Sequence, residues 1–398
     1  MAKAAAKPLS LKVADGVNLP PLQWEHGFTQ TRTGAMIHSV EIEGYRGLKR
    51  LTMSGLGRVN LLVGTNNSGK TSVLEALYLV ASRGDVSALA SIVDRRGERS
   101  NRETEGDFNI SHLFNGHILD VGAKFSVSAG QDKDSFSVNF EIVKTNPNQL
   151  EILSSVLRPS NFLYLKVSSK LSSLNTRYDL PISNDGFFSS DLVPEEKVHN
   201  FSNISKIDNI QYVSTASLSH DVLLNRWNTI VLTDREIEIV EAIRIVEPKI
   251  SRLAAINVPI GKNNNQKNGF VVRLLGTKIP VPIGSLGDGA WRMLSMAIAL
   301  ISAKGGVLLI DEIDTGLHYT VMADMWKLIA QTAAELDVQV FATTHSSDCV
   351  TSLAEICHPD VEAGSQVTIQ RIESGRESAV PYSEAEIRIA AERHIEVR

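Results

Sequence analysis

The chain has 398 residues, which is enough for a large core and roughly two to three domains' worth of material. Its 43% hydrophobic content is ordinary for a globular protein, and its net charge of −5 argues against coating nucleic acid through overall charge, although a local basic patch stays open. Cys349 and Cys357 have neither metal-ligand nor disulfide spacing, and no apolar run approaches the roughly 18–20 residues that cross a bilayer. We therefore expect a soluble, cytoplasmic protein with no membrane contact.

The first half of the chain gives clear elements only near its start. Residues 1–35 contain lysines but no apolar signal core, so we expect a flexible tail there. Alternation predicts a strand in "MIHSVEIEGYRGL" from residue 36, a buried strand follows at 59–64, and "SVLEALYLVAS" has helical spacing. The charged stretch "DRRGERSNRETEGD" predicts a loop without fixed structure.

The middle of the chain mixes strands with stretches that the pattern leaves unassigned. Residues 117–145 predict two or three antiparallel strands around a Gly-Gln-Asp-Lys-Asp turn, and the Ser/Asn-rich stretch from there to 208 has no assignment. A strand is predicted at 209–215. Apolar spacing then predicts a helix over 235–256, broken near Pro248, and a polar hairpin tip at 261–269.

The last third alternates strands and helices. The stretch "GSLGDGAWRML" leads into an apolar helix, and "GVLLIDEIDTGLH" is a strand that ends in two acids. An amphipathic helix at 321–336 and a strand in "VQVFATTHSSD" come next, followed by a late hairpin and a closing helix from residue 384. The order of elements is that of an α/β protein.

A phosphate-binding loop is the strongest motif. "GTNNSGKT" (64–71) matches G-x-x-x-x-G-K-[ST] between a strand and a helix. The glycines let backbone N–H groups and the positive end of the helix meet phosphate oxygens, Lys70 reaches the β- and γ-phosphates, and the Thr71 hydroxyl ligates Mg²⁺. A glycine-rich turn with a surface lysine is the alternative, which the full pattern in its full context disfavours. The predicted nucleotide-binding residues here are Gly64, Thr65, Asn66, Asn67, Ser68, Gly69, Lys70, Thr71 and Ser72.

Two later strands end in groups that suit ATP hydrolysis. Asp311 closes an apolar strand and is predicted to hold Mg²⁺ together with Thr71, and Glu312 is placed to orient or deprotonate the attacking water. His345 follows another strand and is predicted to sense the γ-phosphate or polarise the water. Acids after a strand are often only a solvated loop, and a lone histidine is more often structural; the phosphate loop upstream favours the functional interpretation. The predicted catalytic residues are Glu312, His345 and Lys70.

With these residues in hand, the chain resembles the ABC-type ATPase heads of the RecF, Rad50, SMC and OLD groups, and most of all the compact OLD-like bacterial ATPases termed AAA15 and AAA21. The resemblance covers most of residues 36–398 at six ordered points. These are "IEGYRGLKRLTM", "GTNNSGKTSVLEAL", "LGDGAWRML", "LLIDEIDTGLHYTVM", "FATTHSSD" and "EIRIAAERHIEVR".

The resemblance implies an architecture and a division of the chain. The fold would be an α/β P-loop NTPase of the ABC type, with a mixed sheet, helices on both faces, a β-subdomain and an inserted α+β region. The implied domains are a flexible tail (1–35), an N-terminal lobe with the phosphate loop (36–99), an inserted region (100–208) and a C-terminal lobe with the remaining motifs (209–398).

In such heads the nucleotide lies between two copies of the chain, and "LGDGAWR" stands at the position of the signature loop that meets the partner's γ-phosphate. The resemblance therefore implies a homodimer or larger homo-oligomer, with nucleotide contacts from Gly287, Asp288, Gly289, Arg292 and the D-loop residue Asp314. A helix cap by Asp288 is the simpler alternative. The family usually has serine where this chain has Gly287, so Ser285 would have to supply the hydroxyl. We find no glutamine that matches the Q-loop.

The resemblance also leaves two functions open. Only about 50 residues follow the Thr-Thr-His strand, and they contain no D-x-D, so the metal-dependent Toprim nuclease of several OLD proteins is not expected in this chain. The first hypothesis is therefore an oligomeric ATP-hydrolysing switch that controls a separately encoded effector, a nuclease being one candidate, in bacterial anti-phage defence. The alternative is a RecF-like repair or maintenance ATPase that binds duplex DNA, for which residues 94–102 are the one basic cluster. A protein that binds ATP without hydrolysing it is a third interpretation.

Overall fold

The computed structural model describes residues 36–98, 107–131, 134–144, 163–171, 174–189, 209–260, 265–357 and 366–398. All of them belong to one unit, Gly34–Arg398. The predicted tail at 1–35 and the tip of the basic cluster at 99–102 lie outside the described residues. Among the described helices, none is both long and apolar enough to cross a membrane.

Strands dominate the first half of the described chain and helices the second. The strands are β1 (Ile37–Tyr45), β2 (Leu48–Ser54), β3 (Val59–Val63), β4 (Asp107–Asn109), β5 (Lys124–Gln131), β6 (Asp134–Lys144), β7 (Leu163–Leu171), β8 (Leu174–Ile182), β9 (Phe187–Ser189), β10 (Ile210–Val213), β11 (Ile250–Ile260), β12 (Asn265–Leu274), β13 (Val281–Pro282), β14 (Val307–Ile310), β15 (Gln339–Thr343), β16 (Val367–Arg371) and β17 (Val380–Tyr382). The helices are α1 (Lys70–Ala81), α2 (Val86–Arg95), α3 (His220–Ile230), α4 (Arg235–Arg244), α5 (Asp288–Ser302), α6 (Tyr319–Glu335), α7 (Ser347–Ala354) and α8 (Glu384–Glu392).

A six-stranded mixed sheet carries the predicted nucleotide site. Its order is β10-β14-β15-β3-β16-β17, parallel except for β17, which runs antiparallel to β16. Strands β3, β14 and β15 are buried along their whole length, as expected for parallel strands covered on both faces. Because these strands are parallel, the phosphate loop, the acidic pair and the Thr-Thr-His segment all leave the sheet at the same edge.

A second six-stranded sheet is antiparallel throughout, in the order β2-β1-β5-β6-β7-β8. Strand β5 pairs directly with β1, so strands from the predicted inserted region extend the sheet that begins ahead of the phosphate loop. The boundary at residue 100 between the N-terminal lobe and the inserted region therefore stays a prediction. A hairpin of β11 and β12, with β13 beside it, forms a separate three-stranded sheet.

Two apolar cores flank the parallel sheet. One contains Leu61, Ile310 and Ala342 together with buried faces of the helices from α3 to α8. The other contains Leu62, Leu309 and Phe341 with α1, α2 and the antiparallel sheet. Alternate residues of one strand thus face opposite cores, which is the period-2 pattern of a sheet with two covered faces. The α/β class with a mixed sheet and helices on both faces is confirmed.

Two element predictions need correction. The helix predicted over 235–256 ends at Arg244, and residues from Ile250 onward form β11, paired with β12. Cross-strand pairing, Ala254 opposite Val271 for example, overrides the helical spacing after Pro248. The strand predicted in "MIHSVEIEGYRGL" ends at Tyr45 and turns back into β2 through Arg46, which has φ +49°.

Helices α2 and α3 had no counterpart among the predicted elements, although both carry cap signals. Asp85 accepts a hydrogen bond from the Ser87 backbone N–H at the start of α2, and Ser219 accepts one from the Val222 N–H at the start of α3. Short polar residues ahead of apolar positions at helical spacing were the missed signal.

Candidate nucleotide-binding site

The phosphate loop joins β3 to α1 and is shaped by close backbone contacts. A Cβ atom on Gly64 would lie 2.2 Å from the Ile372 carbonyl oxygen, and Gly64 has φ +146°. Helix α1 starts at Lys70 with Gly69 as its N-cap and no side-chain cap. The first N–H groups of α1 have no partner within the helix and are therefore free to bind an anion.

Lys70 points back into the loop. Its Nζ donates to the carbonyl oxygens of Gly64 at 2.7 Å and Thr65 at 2.9 Å. Burial lowers the pKa of Lys70, and the negative charges of Glu312 and Asp311 oppose that shift. The ammonium group is thus held inside the loop, close to both acids.

The Ser68 side chain lies in the same loop and is 4% exposed. Its Oγ atom has no hydrogen-bond partner among the described residues. A buried hydroxyl without a partner is costly unless a ligand satisfies it, so this atom indicates a polar ligand in the loop.

Asp311 leaves β14 next to the first turn of α1. Its carboxylate oxygens lie 3.1 and 3.2 Å from the Thr71 Oγ1 atom, although the two residues are 240 positions apart in sequence. The Thr343 hydroxyl donates to Asp311 Oδ1 at 2.7 Å. A hydroxyl and a carboxylate facing each other in this way are the oxygen donors that Mg²⁺ prefers.

Glu312 and His345 face each other at the same edge. His345 Nδ1 lies 3.6 Å from Glu312 Oε1, and the two side chains are 51% and 40% exposed. The Glu312 backbone has φ +47°, and its N–H donates to Thr343 Oγ1 at 2.8 Å. A left-handed conformation is strained for a side chain of this size, so the surrounding hydrogen bonds must hold it.

Asp314 is tied to the segment that carries His345. The Thr344 hydroxyl donates to Asp314 Oδ1 at 2.6 Å, and the Ser346 N–H donates back to that hydroxyl at 3.0 Å. The predicted D-loop and the predicted histidine switch are therefore connected within one chain.

The start of α5 is open on its outer side. Gly287 has φ +92° and ψ 171°, a conformation that only glycine adopts readily, and a Cβ there would have no atom within 4 Å. Gly287 itself is the N-cap, so the alternative in which Asp288 caps the helix is wrong. Ser285 and Asp288 are both exposed beside it.

Gly289 faces the inside of its own chain. A Cβ on Gly289 would lie 2.8 Å from the Gly316 carbonyl oxygen and 3.4 Å from Val246. The glycine is therefore needed for close packing of α5 against the loop that follows Asp314, whatever meets the outer surface of α5.

Arg292 requires a correction. The sequence placed its guanidinium near a bound anion, but the residue is 1% exposed and donates to backbone carbonyls of its own chain. Its Nη2 atom lies 2.7 Å from the backbone carbonyl oxygen of Asp311 and 2.9 Å from that of Glu312, and its Nη1 donates to the backbone carbonyl oxygen of Ser214. Burial lowers the pKa of Arg292 to about 10, against the charges of Asp311, Asp314 and Glu312. Packing of α5 under β10 and β14 leaves this side chain no path to a partner's nucleotide.

The structure thus brings Lys70, Thr71, Asp311, Glu312 and His345 to one edge of the sheet, and it leaves Gly287 and Asp288 exposed at the start of α5. Sequence reasoning missed Thr343 and Thr344, which connect the acids to the histidine segment. The adjacent threonines before His345 were the available signal.

Comparisons with known proteins identify the family of the chain. The family described as "AAA domain, putative AbiEii toxin, Type IV TA system" matches residues 59–348. A protein named ATP/GTP phosphatase from Helicobacter pylori is 23% identical over 358 residues, covering 81% of this chain and 88% of the relative. The DNA replication and repair protein RecF from Clostridioides difficile is 28% identical over 107 residues, covering 26% of each chain.

Among solved structures, an Smc head bound to the C-winged helix domain of ScpA covers 87% of this chain and 97% of its own, with a TM-score of 0.47 and 14% identity. The family match spans well over half of the chain and contains both the phosphate loop and the acidic strand. The chain belongs to this AAA-domain family and is an ABC-type ATPase of the RecF/SMC superfamily.

Proposed function

We propose that the chain hydrolyses ATP at a site that two copies complete together, and that this cycle switches a separately encoded effector. The observation that carries the first half is the convergence of Lys70, Thr71, Asp311 and Glu312 at one sheet edge, with Thr71 and Asp311 in direct contact. A cation, a hydroxyl and two carboxylates are the groups that phosphoryl transfer needs.

The residues fit a magnesium ion. Thr71 Oγ1 and the Asp311 carboxylate would hold it, and when bound it would neutralise charge on the phosphates. Lys70 would bind the phosphate oxygens in place of the two loop carbonyls that it now contacts. Glu312 would accept a proton from the attacking water, and His345, 3.6 Å away, would help orient that water.

A second copy of the chain would supply the α5 start. The open space around Gly287 and the exposure of Asp288 leave room for a partner surface there, and the backbone N–H groups at the start of α5 are the groups that would meet a phosphate. Asp314 contributes from within the chain, since its bond to Thr344 connects that surface to the histidine segment. The hydrogen bond that the signature serine donates to phosphate in the family would come here from the Ser285 hydroxyl, or backbone N–H groups would be the only donors.

The effector role rests on family resemblance. The family description names a toxin and a Type IV TA system, which supports work with a separately encoded partner, such as a nuclease in anti-phage defence. Isolating the protein together with the product of a neighbouring gene, with and without ATP, tests this role. The effector role would be contradicted if the protein bound none of the neighbouring gene products in an ATP-dependent way.

The RecF-like alternative is favoured by the match to RecF itself. Two of the arginines from the basic cluster are engaged within the chain, however: Arg95 lies over the Tyr212 ring at 3.9 Å, and Arg96 pairs with Glu75 at 2.6 Å. Binding of duplex DNA that weakens steeply as salt rises would favour this function over the effector switch.

The hydrolytic proposal is tested by phosphate release from ATP and Mg²⁺. We expect Glu312→Gln to lower kcat by at least about 10²-fold while ATP still binds, because only the water-activating group is lost. The matched control is Glu335→Gln, an exposed glutamate at the end of α6. Equal, measurable turnover in wild type and Glu312→Gln would overturn the role of Glu312, whereas no phosphate release from either protein would support the interpretation in which ATP binds without being hydrolysed.

A further inference from the structure

Arg292 is a buried cation whose shortest hydrogen bonds are to backbone oxygens and not to carboxylates. Its guanidinium donates to Ser214 at the end of β10 and to Asp311 and Glu312 at the end of β14. Burying a charge is costly unless its donors are satisfied; these carbonyls, with the Ser217 hydroxyl 3.4 Å from Nη1, bind the two terminal nitrogens, whereas Nε has no partner among the described residues. One side chain from α5 therefore joins the ends of two neighbouring strands.

The bond to Glu312 meets the backbone where it is strained. Glu312 has φ +47°, and its side chain must leave β14 toward His345. Both backbone polar groups of Glu312 are hydrogen bonded: its N–H donates to Thr343 Oγ1, and its carbonyl oxygen accepts from Arg292. The two bonds together hold the backbone from which the Glu312 carboxylate projects.

We propose that Arg292 is a positioning residue that holds Glu312 in its water-activating orientation and transmits to it any movement at the start of α5. The inference rests on the proposed function. Arg292 lies one turn after Gly289, and Gly289 packs against the Gly316 carbonyl, so a partner that seats on the outer side of α5 displaces a helix already bonded to the acidic strand end.

Chemistry distinguishes arginine from lysine at this position. The planar guanidinium reaches three carbonyls in different directions, which a single ammonium on a flexible stem does not. Arg292→Lys keeps a donor near Asp311 or Glu312 but gives up the fork that joins β10 to β14. Arg292→Met keeps the volume and removes every donor.

The experiment measures kcat, KM and ATP affinity for both variants in the full chain. We expect Arg292→Met to lower kcat by about 10²-fold, with Arg292→Lys in between, and ATP affinity to stay within about threefold, because the phosphate loop is untouched. The matched control is Arg244→Met, since Arg244 also donates to a strand carbonyl, that of Ile250 at 2.6 Å, away from the site. Should Arg292→Met not fold, Arg292→Lys carries the same comparison.

A double-mutant cycle separates positioning from general support. In the Glu312→Gln background, residual turnover is followed with enzyme in excess over labelled ATP. If Arg292 acts through Glu312, adding Arg292→Lys there lowers the rate no further. An additive loss, or wild-type kcat in the single variants, would overturn the inference. Wild type without turnover would count instead against the proposed function, so the two failures are distinguishable.

Discussion

The phosphate loop and the start of α5 are both glycine-rich turns that open a helix, but the structure treats them differently. Around Gly64 the chain is crowded, and a Cβ would lie 2.2 Å from a backbone oxygen. Around Gly287 there is no atom within 4 Å of the same hypothetical Cβ. The first turn is shaped by its own chain, whereas the second is left open. The difference is what the proposal of a two-copy site expects, in which one half is built within the chain and a second copy supplies the other.

Gly64→Ala should distort the crowded phosphate loop and have the largest effect of the variants considered, on ATP affinity. The added methyl group meets the Ile372 oxygen, which belongs to the backbone and cannot move cheaply, so the loop must open. We expect ATP affinity to fall by about 10²-fold or more, because several backbone N–H bonds to phosphate are lost together. Titration with a fluorescent ATP analogue measures this, and unchanged affinity would contradict the tight loop described above.

Thr343→Val should have the next largest effect. It removes the donor to Asp311 and the acceptor for the Glu312 N–H while keeping the side-chain shape. We expect kcat to fall about 10-fold or more with ATP binding nearly unchanged. Thr368→Val is the control, since Thr368 donates to Asn60 on the far side of β3. A larger loss in the control than in Thr343→Val would remove the special role of Thr343.

Gly287→Ser should have a smaller effect, because space is open there and only the conformation is unfavourable. We expect folding stability to fall by about 1–3 kcal/mol from the strained backbone, without loss of ATP affinity in the isolated chain. Gly305→Ser is the comparison, at an open glycine with φ +72° just before β14, at the opposite end of that strand from Asp311. Thermal unfolding of both variants is the measurement. A large loss of ATP affinity in Gly287→Ser would mean that the α5 start serves the nucleotide of its own chain.

The last prediction is that the two cysteines do not react with an alkylating reagent in the folded protein. Cys349 lies on α7, the helix that begins just after His345, and Cys357 lies beyond the end of that helix; both are buried. Burial raises the pKa of Cys349 well above its usual range and that of Cys357 to about 12, so thiolate is scarce at pH 8. Iodoacetamide should label both thiols only after unfolding, as mass spectrometry would show. Rapid labelling of native Cys349 would mean that the histidine side of the site is mobile.

The sequence predicted what is local and missed what depends on packing. The phosphate loop, the acidic strand and the Thr-Thr-His strand follow from short patterns. The role of Thr343 depends on β14 and β15 being neighbours, which no local pattern states. Arg292 was misplaced because its depth is set by how α5 packs beneath two strand ends. The helix predicted past Pro248 failed because pairing with β12 outweighs apolar spacing.

The same packing changes which variant probes the open side. Gly289 has a neighbour in its own chain 2.8 Å from the hypothetical Cβ, so any substitution there disturbs folding as well as assembly. Asp288 is exposed and offers a cleaner position. Asp288→Trp adds bulk toward a partner, and Asp288→Asn is the control that removes only the charge.

Mixing two inactive variants tests the shared site most directly. Lys70→Ala disables the phosphate loop and Asp288→Trp the partner-facing turn, so a mixed dimer keeps one intact site made from the good half of each chain. We expect each variant alone to be inactive and the equimolar mixture to regain up to about a quarter of wild-type phosphate release, from statistical pairing in a two-fold dimer. Activity no greater than the mean of the two variants would contradict a site completed by two copies.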